Sequence, residues 1–337
     1  MMDNKDVEQA EDRLDRLVNL DVGNRGVEPL YLASRNLAGQ PLVGAAAAAL
    51  LSVPEGGTAI LTTGSVSRAW ISAAIGENDG PSGAAAVARA LAISRRARII
   101  CAVEDTLADP ITAVMRAAGL SVVSAEEAAI ASRDGSLATI VIEAYPVEDE
   151  AGKQAAGAWL ERYSPDLLFS TERVGRNRNG IYYNMRGRDY GMGRARVDYL
   201  FDAALEAGIP VVAVGDGGNE IGMGKIADAV KQHVPHGADG DCPCGGGIGA
   251  VTSADILVTA GVSNWGCTAI AAAMAARTGD PRLLHLPEAE NRLLEVMTAQ
   301  GLINSTHGIV DPHVDGITKH AHIAIAELSR AIVAGFI

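Results

Sequence analysis

The chain has 337 residues, a net charge of −13 and 48% hydrophobic residues, enough to bury a large core in one or two domains. Aromatic residues make up only 4%, and acids outnumber Lys and Arg by 41 to 28. That balance argues against a nucleic-acid partner, which asks for basic charge and stacking rings.

Taken in chain order, the N-terminal MMDNKDVEQAEDRLDRL is acidic and lacks the apolar run of a secretory signal. LVGAAAAALLSV, residues 42–53, is apolar but too short to cross a bilayer, and reads as a buried Ala-rich helix. Residues 1–55 are helical in pattern throughout and are expected to pack on the sheet formed by the rest of the chain. Seven short, almost continuously apolar runs then occur at residues 58–63, 98–103, 120–123, 138–142, 166–170, 210–214 and 255–259. Strands covered on both faces have that character. Amphipathic stretches at 83–93, 110–118, 152–163, 197–207 and 269–277 separate them, and residues 313–337 read as a closing helix. The alternation predicts an α/β fold: a single three-layer domain over residues 1–337, with an open, mainly parallel, Rossmann-like sheet flanked by helices.

Ligands of such sheets bind beyond the carboxyl ends of the strands. The segments that follow four of these strands carry most of the unusual polar chemistry: GSVSRAW with GENDGPSG, TERVGRNRNGIYYNMRGRD, GDGGNE and AGVSNWG. Glu77 and Asp79 lie in the first group. In the second, five arginines fall within 16 positions, among them Arg173, Arg176 and Arg186, with Glu172 and Asn184 beside them. Arginine forks suit carboxylate or phosphate. In GDGGNE, glycines let backbone N–H groups approach a ligand, a helix over 222–234 offers its N-terminus, and Asp216 and Glu220 are candidates to act as a base, to hold a ligand amine or to bind Mg²⁺ or Mn²⁺. Asn219, Ser263 and Asn264 add hydrogen-bonding groups. Asp216→Asn is expected to cost about 1 kcal/mol or less of stability, as a surface change would. Cys101, Cys242, Cys244 and Cys267 show no disulfide-framework spacing, which fits a reducing cytoplasm. CPC at 242–244 is a metal or redox candidate, but it lacks a second pair and predicts no obligatory zinc site. Elbow, Walker A, HExxH and GxGxxG motifs are absent. The residues therefore favour a small acidic or zwitterionic ligand, with no membrane and no nucleic acid as partner; association with further copies of the chain is left open.

In order along most of the chain, NLDVGNRGVEPLY (19–31), GENDGPSGAAAVARAL (76–91), TERVGRNRNGIYYNMRG (171–187), GDGGNEIGMGK (215–225), AGVSNWG (260–266) and VDPHVDG (310–316) resemble the D-glutamate cyclase-like family, specifically its C-terminal domain. The chain departs from it in reading Glu77-Asn78-Asp79-Gly80-Pro81 where the family pattern is ETDGP, and in its Cys242/Cys244 pair. The resemblance implies a hydro-lyase that closes D-glutamate to 5-oxo-D-proline with loss of water. It implies catalytic roles for Asp216, Glu220 and Glu172. Arg173 and Arg176 or Arg186 would clamp the two substrate carboxylates, with Asn184, Asn219 and Asn264 orienting the substrate. Two other readings fit the same residues: a Mg²⁺-dependent phosphatase or phosphotransferase acting on a small phosphorylated metabolite, and a non-catalytic amino-acid-binding domain.

Overall fold

The computed structural model describes residues 4–337, so the first three residues of the expected N-terminal helical segment lie outside the described residues. That segment forms three helices, α1 (Asn4–Val18), α2 (Glu28–Ala38) and α3 (Leu42–Ser52). There follow β1 (Thr58–Thr63), α4 (Pro81–Arg95), β2 (Arg98–Val103), α5 (Ala108–Ala117), β3 (Ser121–Val122), α6 (Ala125–Asp134), β4 (Thr139–Ala144) and α7 (Asp149–Tyr163). The second half holds β5 (Leu167–Thr171), α8 (Asp198–Glu206), β6 (Val211–Gly215), α9 (Ala227–His233), β7 (Ile256–Thr259), α10 (Ser263–Thr278), α11 (Pro287–Ala299) and α12 (Lys319–Val333).

All seven strands are parallel, in the order β3-β4-β2-β1-β5-β6-β7. Their alternation shows why both faces had to be apolar. Ala59 and Leu61 of β1, Ile99 and Cys101 of β2, and Val212 and Val214 of β6 point into one core. Ile60, Ile100, Val211 and Ala213 point into the other. Helices α1, α3, α4, α5, α10, α11 and α12 cover the first face. Residues of α2 and α6 to α9 cover the second, with Trp159, Tyr163, Leu200 and Phe201 as its bulk. This is the expected three-layer α/β fold. Among the described residues, no helix is long and apolar enough to cross a membrane.

Register brings the ends of four neighbouring strands level. Thr63 pairs with Thr171, Thr171 with Val214, and Gly215 with Thr259. From β1 the chain winds first toward β2 and later toward β5, so β1 and β5 flank the point where the strand order reverses. The four polar segments singled out from sequence leave the sheet at that edge.

Some boundaries differ from expectation. The edge strand β3 has two residues rather than four. Instead of a helix over 222–234, a 3₁₀ turn (Met223–Ile226) leads into the seven-residue α9. Gly222 causes the delay, since its φ of 101° is not helical. α10 starts six residues earlier than its apolar pattern, so Ser263 and Asn264 form a helical first turn and not a free loop.

Candidate active site

Two helix N-termini meet under the site and cap each other. Asp79, just before α4, accepts the N–H groups of Ser263 (3.2 Å) and Asn264 (3.1 Å) at the start of α10. Asn264 returns the contact, its Oδ1 accepting from Gly80 (3.0 Å) and Gly83 (2.8 Å) at the start of α4. Gly80 is required there: its φ is 97°, and a Cβ would lie 2.7 Å from Thr63 Oγ1.

The GDGG turn binds its own acid. Glu220 folds back so that Oε1 accepts from Gly217 and Oε2 from Gly218, both at 2.8 Å. The expectation that these glycine N–H groups cradle a ligand is thereby corrected: Glu220 uses them. Gly218, at φ 111°, allows the turn. Asn219 is anchored by donating to the carbonyl of Tyr183 (2.7 Å).

Asp216 is 3% exposed and its partner comes from the far end of the chain. The Arg25 guanidinium grips it through both oxygens, at 3.0 and 2.9 Å, and also bonds Asp315 and the carbonyl of Gly261. Asp79, Asp216 and Asp315 each offer an oxygen within 4.8 Å of the others, and so do Glu172, Asp216 and Glu220. Five carboxyl groups thus surround one guanidinium. Desolvation first, and then their mutual repulsion, push Asp79, Glu172 and Asp216 well above the usual carboxylate range; Arg25 opposes this at Asp79 and Asp216. Glu172 adopts a left-handed backbone (φ 52°) at the end of β5, and Ser263 Oγ donates to it at 2.6 Å. Glu77, buried beside them, is raised to about 7 by burial, against the Arg194 charge and a hydrogen bond from Ser65.

A cleft of about 510 Å³ opens over these acids. Its opposite wall is basic. Arg188 stacks 3.7 Å from the Trp70 ring centroid, and Arg68 lies 5.7 Å from it. Arg186 donates to the carbonyl of Thr306 (3.2 Å) and Arg68 to that of Ser305 (2.6 Å). Asn184 shapes this wall by accepting the N–H groups of Arg186 and Arg188, each at 3.0 Å. Among the described residues, no carboxylate lies within 4.0 Å of Arg68, Arg186 or Arg188, whereas Arg25 is saturated.

Of the residues selected from sequence, Glu77, Glu172, Asn184, Arg186, Asp216, Asn219 and Glu220 line the cleft. Asp79, Ser263 and Asn264 are buried beneath it as mutual caps. Arg173 and Arg176 are not placed to clamp a ligand. Arg173 is fully buried, with both terminal nitrogens on Glu104 (2.9 and 2.7 Å) and further bonds to the carbonyls of Gly64 and Ala195. Despite its burial, Glu104 is held below the usual range by that arginine. Arg176 is engaged with Asp198 (2.8 Å) and Asp202 and stacks on Tyr199. Sequence reasoning counted Arg188 among the five arginines without giving it a role of its own, and passed over Arg25, Arg68, Trp70 and Asp315. Each of the four had a signal: Arg68 and Trp70 sit in GSVSRAW at the end of β1, and Arg25 and Asp315 in NLDVGNRGVEPLY and VDPHVDG, turn-rich pieces far from any strand end.

The fold and this cleft define a doubly wound α/β domain with an acid-rich pocket at the carboxyl edge of its sheet. The sequence model described as D-glutamate cyclase-like, C-terminal, matches residues 14–328, and the chain belongs to that family. It is 34% identical over 178 residues to D-glutamate cyclase, mitochondrial, of Homo sapiens. That match takes in 46% of this chain and 28% of the length of the human protein.

Proposed function

We propose that the cleft binds D-glutamate and closes it to 5-oxo-D-proline with release of water. The observation that carries this reading is the two-sided cleft, with guanidinium groups that have no carboxylate partner facing a carboxyl cluster that has one arginine among five acids. A dicarboxylate with one ammonium complements both walls. Family membership and the name of the human relative support the same substrate.

In this reading Arg186, Arg188 and Arg68 hold the substrate carboxylates, and the ammonium faces Asp216 and Glu220. One of those two carboxylates takes a proton from the ammonium, and the freed amine attacks the γ-carboxyl carbon. Nearby guanidinium charge makes that carbon a better electrophile. The C–N bond forms, the attacking nitrogen gives up a proton, and one γ-carboxyl oxygen takes that proton and a second one and leaves as water while the other oxygen becomes the lactam carbonyl. Glu172, whose carboxyl is pushed up by burial and by the acids around it, supplies the second proton. Glu172, Asp216 and Glu220 are also the residues that would hold Mg²⁺ or Mn²⁺, in competition with Arg25.

The test is to incubate purified protein with D- or L-glutamate, with and without Mg²⁺ or Mn²⁺, and to follow 5-oxoproline by chiral chromatography. Formation of 5-oxo-D-proline from the D isomer is expected. Tight binding of D-glutamate without turnover would replace this reading with that of a binding domain, and phosphate release from a phosphorylated metabolite would replace it with the phosphatase reading.

A further inference from the structure

The CPC loop lies behind the cleft wall, and its two thiols face each other. A tight turn closes with Gly245 N–H donating to the carbonyl of Cys242 (2.9 Å), and Pro243 occupies its second position. The turn sets Cys242 Sγ 3.4 Å from Cys244 Sγ. Cys242 is buried and Cys244 half-exposed, so one sulfur is accessible and its partner is sheltered. Cys244 is also polarised. Burial opposes its thiolate, but hydrogen bonds from Tyr183, Asn177, the Gly246 N–H and Cys242 prevail and hold its pKa at about 6. Cys101 and Cys267 are the opposite case: wholly buried, with thiols pushed up by that burial.

Both groups that hold Cys244 belong to the segment whose next residues, Asn184, Met185, Arg186 and Arg188, line the cleft. Asn177 Nδ2 donates to Cys244 Sγ (3.2 Å) and to the carbonyl of Gly247 (2.7 Å), tying the arginine-rich segment to the CPC loop. The Tyr183 hydroxyl accepts from the Cys244 N–H (3.3 Å), and the Tyr183 carbonyl is the anchor of Asn219. Tyr183, Cys242 and Ile248 pack with Met185 and Val234, both of which line the cleft.

We propose that Cys242 and Cys244 form a dithiol site that a hydroperoxide converts to an intraloop disulfide, and that its closure is transmitted to the cleft wall through Asn177 and Tyr183. The Cys244 thiolate attacks one peroxide oxygen, the O–O bond breaks, and the departing hydroxide is protonated to water. The Cys242 sulfur then attacks Cys244 Sγ, the S–O bond breaks, and the hydroxyl leaves as water with the Cys242 proton. Bond formation must shorten the 3.4 Å gap to about 2.05 Å, which draws Cys244 away from the groups that steady it.

The experiment treats the full chain with hydrogen peroxide, then applies alkylation, peptide mass mapping and hydrogen exchange. The wild type should lose about 2 Da, reversibly with dithiothreitol, through a Cys242–Cys244 cross-link, while Cys101 and Cys267 stay reduced. Cys242→Ser and Cys244→Ser should form no cross-link. Exchange across residues 181–189 should rise several-fold in oxidised wild type and stay unchanged in peroxide-treated Cys244→Ser. Accumulation of Cys244 sulfinic acid beside an alkylatable Cys242 would overturn the dithiol site. A disulfide that leaves exchange at 181–189 unaltered would overturn the transmission to the cleft. Neither readout needs turnover, so both stand apart from the fate of the D-glutamate reading.

Discussion

At the scale of single residues, the centre of the site is a balance of charge around Arg25. Asp216 is nearly inaccessible and bound through both oxygens, so the surface-like cost expected for Asp216→Asn does not apply. Asparagine keeps one acceptor for Arg25 and relieves repulsion from four neighbouring acids, while Asp315 still holds the arginine. The loss should be about 1–2 kcal/mol, short of the 3–5 kcal/mol for orphaning a buried charge. Lactam formation should fall about 10²-fold or more if Asp216 moves the proton. Arg25→Met should be worse for the fold, by about 3 kcal/mol at pH 8, because it leaves five carboxyl groups with no cation between them. Its deficit should shrink at pH 5, because Asp79, Glu172 and Asp216, with carboxyl groups raised above the usual range, give up charge as pH falls. Paired thermal melts at both pH values check this, and an Arg25→Met deficit as large at pH 5 would show that Arg25 acts mainly by packing. At the opposite wall, Arg186→Ala and Arg188→Ala should each raise KM for D-glutamate about 10-fold or more, the scale of a lost charged hydrogen bond, with the melting temperature nearly unchanged. An unaltered KM in both variants would mean that the carboxylates are held elsewhere.

At the scale of elements, the reciprocal caps of α4 and α10 bind the β1 and β7 segments into one platform. Asn264→Ala removes the acceptor for two N–H groups of α4, and should cost about 1–2 kcal/mol. Asn264→Asp keeps that acceptor but places a second anion beside Asp79, so its stability should recover only as pH falls. Chemical denaturation of both variants across pH separates the two effects; equal losses for both at every pH would rule out capping as the role of Asn264. These caps also show where sequence reading stops. Apolar runs marked all seven strands because parallel strands are covered on both faces, a property written in adjacent residues. The converging strand ends were legible for the same reason, since register and fold alone bring them level. Whether a polar side chain at such an edge serves a ligand or the fold depends on partners remote in sequence. Arg173 has Glu104, Asn264 has Gly80 and Gly83, and Glu220 has the very N–H groups offered to a ligand. Arg25 was missed for the converse reason: it crosses 191 positions to reach Asp216.

At the scale of the whole molecule, the site sets how stability depends on pH. Glu77, Asp79, Glu172 and Asp216 all have carboxyl groups raised above their ordinary range in the folded chain. A group of this kind binds its proton more tightly when folded, so it stabilises below the unfolded pKa and loses that contribution as pH rises through the folded value. For Glu77 the window runs from 4.5 to about 7. Glu104, held low by Arg173, has the opposite sign: its contribution is full above the unfolded value of 4.5 and is lost as pH falls through the lowered one. Together they place maximum stability on the acid side of neutrality, near the bottom of the Glu77 window, with decline toward pH 8. Glu77→Gln isolates one component. Glutamine can still accept from Ser65 Oγ but never ionises, so the variant should gain on the order of 2 kcal/mol over the wild type at pH 8 and nothing at pH 4.5. Urea denaturation of both proteins from pH 4 to pH 9 tests this. Parallel curves would show that Glu77 titrates alike in the folded and unfolded chain, and that its charge is carried in this cleft without cost to the fold.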